Sequence, residues 1–110
     1  MKGLRTLNLS PIVRIPTKDR PIQDAFEEFH EKNPHIYANL KLLSTQAYNA
    51  GRRHIGMKFF FERLRWEYMM GIEDPVNVFK LNNNYTSFYA RKLIKNNKKF
   101  KDLFWTREKE

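Results

Sequence analysis

Pro21, the Asn33-Pro34 pair, Gly51 and Gly71 cut the first seventy residues of this chain into segments of ordinary helix length. Proline suits a first helical position, where its missing N–H would be unpaired anyway. Glycine suits the residue just past a helix end. Between these marks the apolar residues recur at helical spacing. Ile22, Ala25, Phe26 and Phe29 stand at i, i+3, i+4 and i+7, which predicts a helix over about Pro21 to Lys32. Asp24, Glu27, Glu28 and Glu31 make it acidic, so it is expected to face away from any polyanion. Asn33 is expected to cap a second helix, begun by Pro34 and closed by Gly51, with Ile36, Leu40, Leu43 and Ala47 inward and Tyr37 and Tyr48 flanking. A third helix should run from about Lys58 to Met70. Phe60, Phe61, Leu64 and Tyr68 mark one face of it and Phe59, Trp66 and Met70 another; a central helix covered on both sides is the favoured reading, an exposed aromatic interface the other.

Three further pieces complete the outline. Residues 1–20 read as an arm, because Pro11 and Pro16 break any helix while Leu4, Leu7, Leu9, Ile12, Val13 and Ile15 favour extended docking. A strap over the core is the favoured reading; a basic arm entering a minor groove is the other. Ile55 and Met57 alternate around Gly56, as in a short strand. Residues 72–79 form a loop with an Asp74-Pro75 turn signal, and Trp105-Thr106-Arg107 could close the fold as a strand. With 110 residues, 41% hydrophobic and 15% aromatic, the chain can bury one core, so residues 21–110 are expected to form a single domain. Four glycines and five prolines argue against a turn-rich β-sandwich. The expected fold is therefore mainly α with a small β component.

The formal net charge of +9 favours polyanionic partners. There is no cysteine, which excludes disulfides, thiolate zinc sites and a cysteine nucleophile. No apolar run approaches the roughly 20 residues that span a bilayer, and the basic start lacks a signal-peptide apolar stretch. The expectation is a cytoplasmic protein with no membrane partner.

The charge is concentrated. From Lys80 to Lys101 there are seven basic residues and no acidic one. Asn82, Asn83 and Asn84 precede a helical stripe of Tyr85, Phe88, Tyr89 and Leu93, which predicts a helix to about Asn97, capped by Asn83, Asn84 or Thr86. Tyr85, Phe88, Tyr89 and Leu93 would face inward; Arg91, Lys92 and Lys95 would face out and grip phosphates, with Lys98 and Lys99 continuing the patch. Asparagine side chains can bond adenine bidentately, so the triplet supplies candidate base readers, with Thr86 and Ser87 in reach of phosphate or base edges. Asparagines before a helix also serve as turn formers and caps, and one of the three is expected to do so. Arg52 and Arg53 are a second candidate phosphate contact.

The order from residue 34 onward is helix, short strand, helix, loop, helix, strand. It resembles a winged helix-turn-helix domain, four helices with short strands. The resemblance implies that the helix after the asparagines is the recognition helix and that Phe104 to Arg107 begins the wing. The segments FEEFHEKNPHIY, FERLRWEY and FKLNNNYTSFYARK are also similar to small phage and prophage proteins without an assigned activity. That similarity implies a mobile-element origin and supplies no mechanism.

Catalysis finds little support. His30, His35 and His54 form no ligand motif, and Glu62 and Glu67 lie about 140° apart around a helix. No catalytic residue, metal site or cofactor is expected. The expected activity is binding of nucleic acid, duplex DNA first. The alternatives are RNA binding, and a protein-interaction module acting on a host enzyme or defence complex, for which the aromatic surplus would serve.

Overall fold

The computed structural model describes residues 7–71 and 80–104. The Asp74-Pro75 loop, the closing strand expected at Trp105 to Arg107 and the first six residues of the arm lie outside them. The described chain is mainly helical: α1 (Ile22–Lys32), α2 (Pro34–Asn49), α3 (Met57–Gly71), a 3-10 turn (Asn83–Tyr85), α4 (Thr86–Asn96) and α5 (Phe100–Leu103).

The helices form where their apolar stripes can meet. Ala25, Phe26 and Phe29 of α1, Ile36, Leu40 and Leu43 of α2, Phe60, Phe61, Leu64 and Tyr68 of α3, and Tyr89 and Leu93 of α4 share one core with Phe100, Leu103 and Phe104. Much of that core is aromatic and edge-on. Phe26 meets Tyr89 at 4.9 Å between ring centres, and Phe60 meets Phe104 at 5.8 Å, both near perpendicular. That geometry sets the positive edge of one ring against the negative face of the next. Beyond α2, Gly51 takes φ +86°, the left-handed backbone in which a Cβ is strained, and so turns the chain out of the helix.

Several sequence expectations need correction. Pro21 precedes α1 as its cap residue instead of opening it, and Ile22, at the solvent end of the stripe, is exposed. Residues 54–57 are not a strand. Met57 is buried as the first residue of α3, and among the described residues the β structure is one parallel bridge, Ile55 with Phe104. The Ile55 amide donates to the Leu103 carbonyl at 2.7 Å. The second apolar face of α3 is not covered: Phe59, Trp66 and Met70 are 66%, 56% and 59% exposed. Periodicity reports that a face is apolar; only neighbouring elements decide whether it is covered.

The arm crosses the body as a strap held by side chains. Asn33 stands at the N-cap position of α2 as expected, but its side chain makes no capping hydrogen bond. Its fully buried amide accepts from the Val13 N–H at 2.7 Å and donates to the Val13 carbonyl at 3.0 Å, as a neighbouring strand would, and it also donates to the Phe29 carbonyl at 3.0 Å. Asn39 repeats the arrangement on Asn8, with both bonds at 2.8 Å. The Tyr68 hydroxyl donates to the Ser10 carbonyl at 2.6 Å. Between these ties Ile12 and Ile15 enter the core.

Candidate nucleic-acid interface

α4 divides cleanly by face. Tyr89, Ala90 and Leu93 are buried, as is Tyr85 just before the helix, while Phe88 is half-buried against Phe26 with ring centres 5.0 Å apart. Ser87, Arg91 and Lys95, spaced by four, are exposed along the opposite side, with Asn84 before them and Lys98 beyond. Among the described residues no basic side chain from 80 to 104 enters an ion pair; the three pairs are Arg20–Glu28, Arg63–Glu67 and Arg65–Glu62. Arg91 lies over the Phe88 ring at 4.9 Å and remains exposed.

Lys92 departs from the expected outward set. It is half-buried at the seam with α1, close enough to His30 to act on its charge. The acidic helix is a direct neighbour of α4, through Phe26 against Phe88 and Tyr89, and Glu27 acts on the same histidine with opposite sign. His30 sits among Phe26, Tyr37 and Tyr89, and its Nδ1 has no hydrogen-bond partner among the described residues. Burial pushes its pKa down, Lys92 pushes it further, and Glu27 opposes. Burial also drives the Tyr89 hydroxyl well above the usual phenol range. Both groups are therefore neutral near pH 7.

The asparagine turn is corrected in detail. The capping side chain is Asn82, which accepts from the Asn84 N–H at 2.8 Å and closes the 3-10 turn. None of Asn83, Asn84 and Thr86 caps α4. The Thr86 hydroxyl donates to the Asn83 carbonyl at 3.0 Å. Asn83 accepts from the Arg65 guanidinium at 2.7 Å, and the same Arg65 nitrogen donates to the Leu81 carbonyl at 2.5 Å. The Oδ1 atoms of two of the three candidate readers are thus already engaged; Asn84 is left with an exposed side chain.

Arg52 and Arg53 follow α2 at the other end of the molecule from that turn in sequence, and the fold joins Arg53 to Lys99. The Arg53 guanidinium lies 3.8 Å from the centre of the Tyr48 ring, and the Lys99 ammonium 5.4 Å from it. Arg53 also donates to the carbonyls of Tyr48 and Arg52. Arg52 is exposed beside it. Two cations on one ring tie the loop after α2 to the start of α5.

The sequence reading missed a groove of about 910 Å³ between the strap, α3 and the asparagine turn. Arg14 and Lys18 line it from the strap, Trp66 and Met69 from α3, and Lys80 and Asn83 from the turn. The strap's basic residues were a visible signal; Trp66 was hidden by its assignment to a covered face.

Among the described residues no group of three or more His, Asp or Glu side chains is placed to hold a metal ion. No helix among them is long and apolar enough to cross a membrane. Compared with protein-family models, with curated proteins and with solved structures, the chain matches none.

Proposed function

We propose that the protein binds nucleic acid, with duplex DNA docking along the exposed face of α4. The reading rests on one observation: Ser87, Arg91 and Lys95 form an acid-free outward stripe continued by Lys98, on a helix whose other side is anchored by buried Tyr89 and Leu93. A rigid cationic ridge of this kind suits phosphate contact, and α-helices fit the major groove. Arg53 and Lys99, joined over Tyr48, extend the cationic surface beyond the end of α4. Asn84 and Ser87 are the side chains left to approach base edges, since Asn82 and Asn83 are held within the turn. The winged-helix likeness and a phage origin fit this reading and are not needed for it. The contact is one of binding, without catalysis or cofactor.

The test is fluorescence anisotropy with a short blunt duplex across a salt series. Binding that weakens steeply with salt is expected, with log K falling by about 0.9 per phosphate neutralised for each unit of log salt. A flat salt response, or no binding at low salt, removes the proposal. Exposed Phe59, Trp66 and Met70 favour a second reading, a protein partner. Capture of a host protein that survives nuclease treatment, with no duplex binding, would select it.

A further inference from the structure

The groove is a different kind of place from the α4 ridge. It is concave, whereas the ridge is convex, and its volume lies at the upper end of the roughly 300–1,000 Å³ typical of small-ligand sites. Its charge is positive. Arg14, Lys18 and Lys80 line it, none of them in an ion pair among the described residues, and Glu62, the acid on the wall, is paired with Arg65 at 3.0 Å. Its apolar lining includes Ile15, Phe29, Met69 and Leu81, and among these walls the Trp66 indole stays 56% exposed. Arg65 braces that wall against the asparagine turn by its bonds to the Leu81 carbonyl and Asn83.

Cations without an ion pair among the described residues, set around an exposed tryptophan in a concave site, suit one ligand chemistry: a planar aromatic group carrying phosphate. We propose that the groove holds an unpaired nucleotide of single-stranded DNA, its base stacked on Trp66 and its phosphates met by Arg14, Lys18 and Lys80. Stacking on an aromatic side chain is tolerant of base identity, and cations track the backbone. The asparagine turn is the border between the two surfaces. Asn83 lines the groove, whereas Ser87, Arg91 and Lys95 belong to the ridge. A duplex on the ridge whose strand runs on unpaired across this turn would occupy both, so the inference deepens the nucleic-acid reading by naming a duplex with a single-stranded extension as the preferred ligand class.

Trp66 and Trp105 are the two tryptophans of the chain, so a W105F background leaves Trp66 as the only indole. In that protein, titration with a twelve-residue oligothymidylate is expected to quench Trp66 emission and to lose effect as salt is raised. Trp66→Ala should weaken oligothymidylate binding by about tenfold or more, as expected for loss of one base stack. Trp66→Phe should recover most of it. Replacing Arg14, Lys18 and Lys80 by Ala should weaken binding and flatten its salt dependence. Oligothymidylate binding without quenching, or binding that is undiminished in the Trp66→Ala protein, overturns the proposal. Blunt-duplex anisotropy on the same protein keeps the two readings apart. Duplex binding without quenching leaves the ridge and removes the groove; quenching without duplex binding does the reverse; no response to either ligand removes both.

Discussion

Asn33 satisfies three backbone groups with one buried amide, and two of them belong to a segment twenty residues earlier. Truncating it to Ala would strand the Val13 N–H and carbonyl at a part-buried seam. An unsatisfied buried polar group costs about 1–3 kcal/mol, so Asn33→Ala is expected to destabilise by about 2–4 kcal/mol. Urea unfolding followed by circular dichroism measures this. The second residue-scale expectation concerns His30 and His35. Both have pKa values lowered below 6.5, chiefly by burial, with Lys92 adding to the effect at His30 and the Ser10 backbone opposing it at His35. Below pH 6.5 the unfolded chain therefore takes up protons that the native state refuses. The stabilisation is complete above that pH and declines as pH falls from 6.5 toward the lowered native values. Urea midpoints should drop between pH 7.5 and pH 5, and His30→Gln should flatten part of that slope.

At the scale of the element, α4 carries the functional claim. Replacing Arg91 and Lys95 together by Ala is expected to weaken duplex binding for all sequences alike. It should also make the slope of log K against log salt shallower by about 2, one step per phosphate released. Anisotropy at four or five salt concentrations reads both effects, and circular dichroism should find the helix intact because both side chains are exposed. How much of this was legible in advance varied with the kind of interaction. The inner face of α4 at Tyr89 and Leu93, with Tyr85 just before it, could be read from 3.6-residue periodicity, and so could the cores of α1, α2 and α3. The choice of Asn82 as the cap could not, because it depends on a 3-10 turn whose start is a matter of one residue. The outer face of α3 was misjudged because an apolar stripe looks the same whether or not another element lies on it. The clamps made by Asn33 and Asn39 left no local trace, since their partners stand 20 and 31 residues away.

At the scale of the molecule, distant pieces are tied across the whole chain. Tyr68 bonds to Ser10, Asn96 to Tyr37, and the Ile55 backbone to Leu103. Among the described residues no helix has a separate core of its own; the buried apolar residues of the five described helices join one cluster with Ile12 and Ile15 of the strap. Removing residues 1–16 would strip both isoleucines from that cluster, at about 1.5–3 kcal/mol each. The expected result is a single cooperative melting transition lowered by about 12 °C or more, at roughly 4–8 °C per kcal/mol for a domain near this size. Loss of one region with the rest melting unchanged would contradict it.

The strap faces two ways within seven residues. Ile12 is buried in the core, Arg14 and Lys18 line the groove, and Ile15 belongs to both. The same stretch of backbone is thus a lid for one compartment and a wall for the other. Reciprocity follows: whatever binds the wall must raise the work of lifting the lid, by the same factor by which a lifted lid weakens binding. Trypsin cuts after arginine and lysine unless proline follows, so Arg14 and Lys18 make the strap its own gauge. Its cleavage should slow in step with occupancy of the groove, whatever the occupant proves to be.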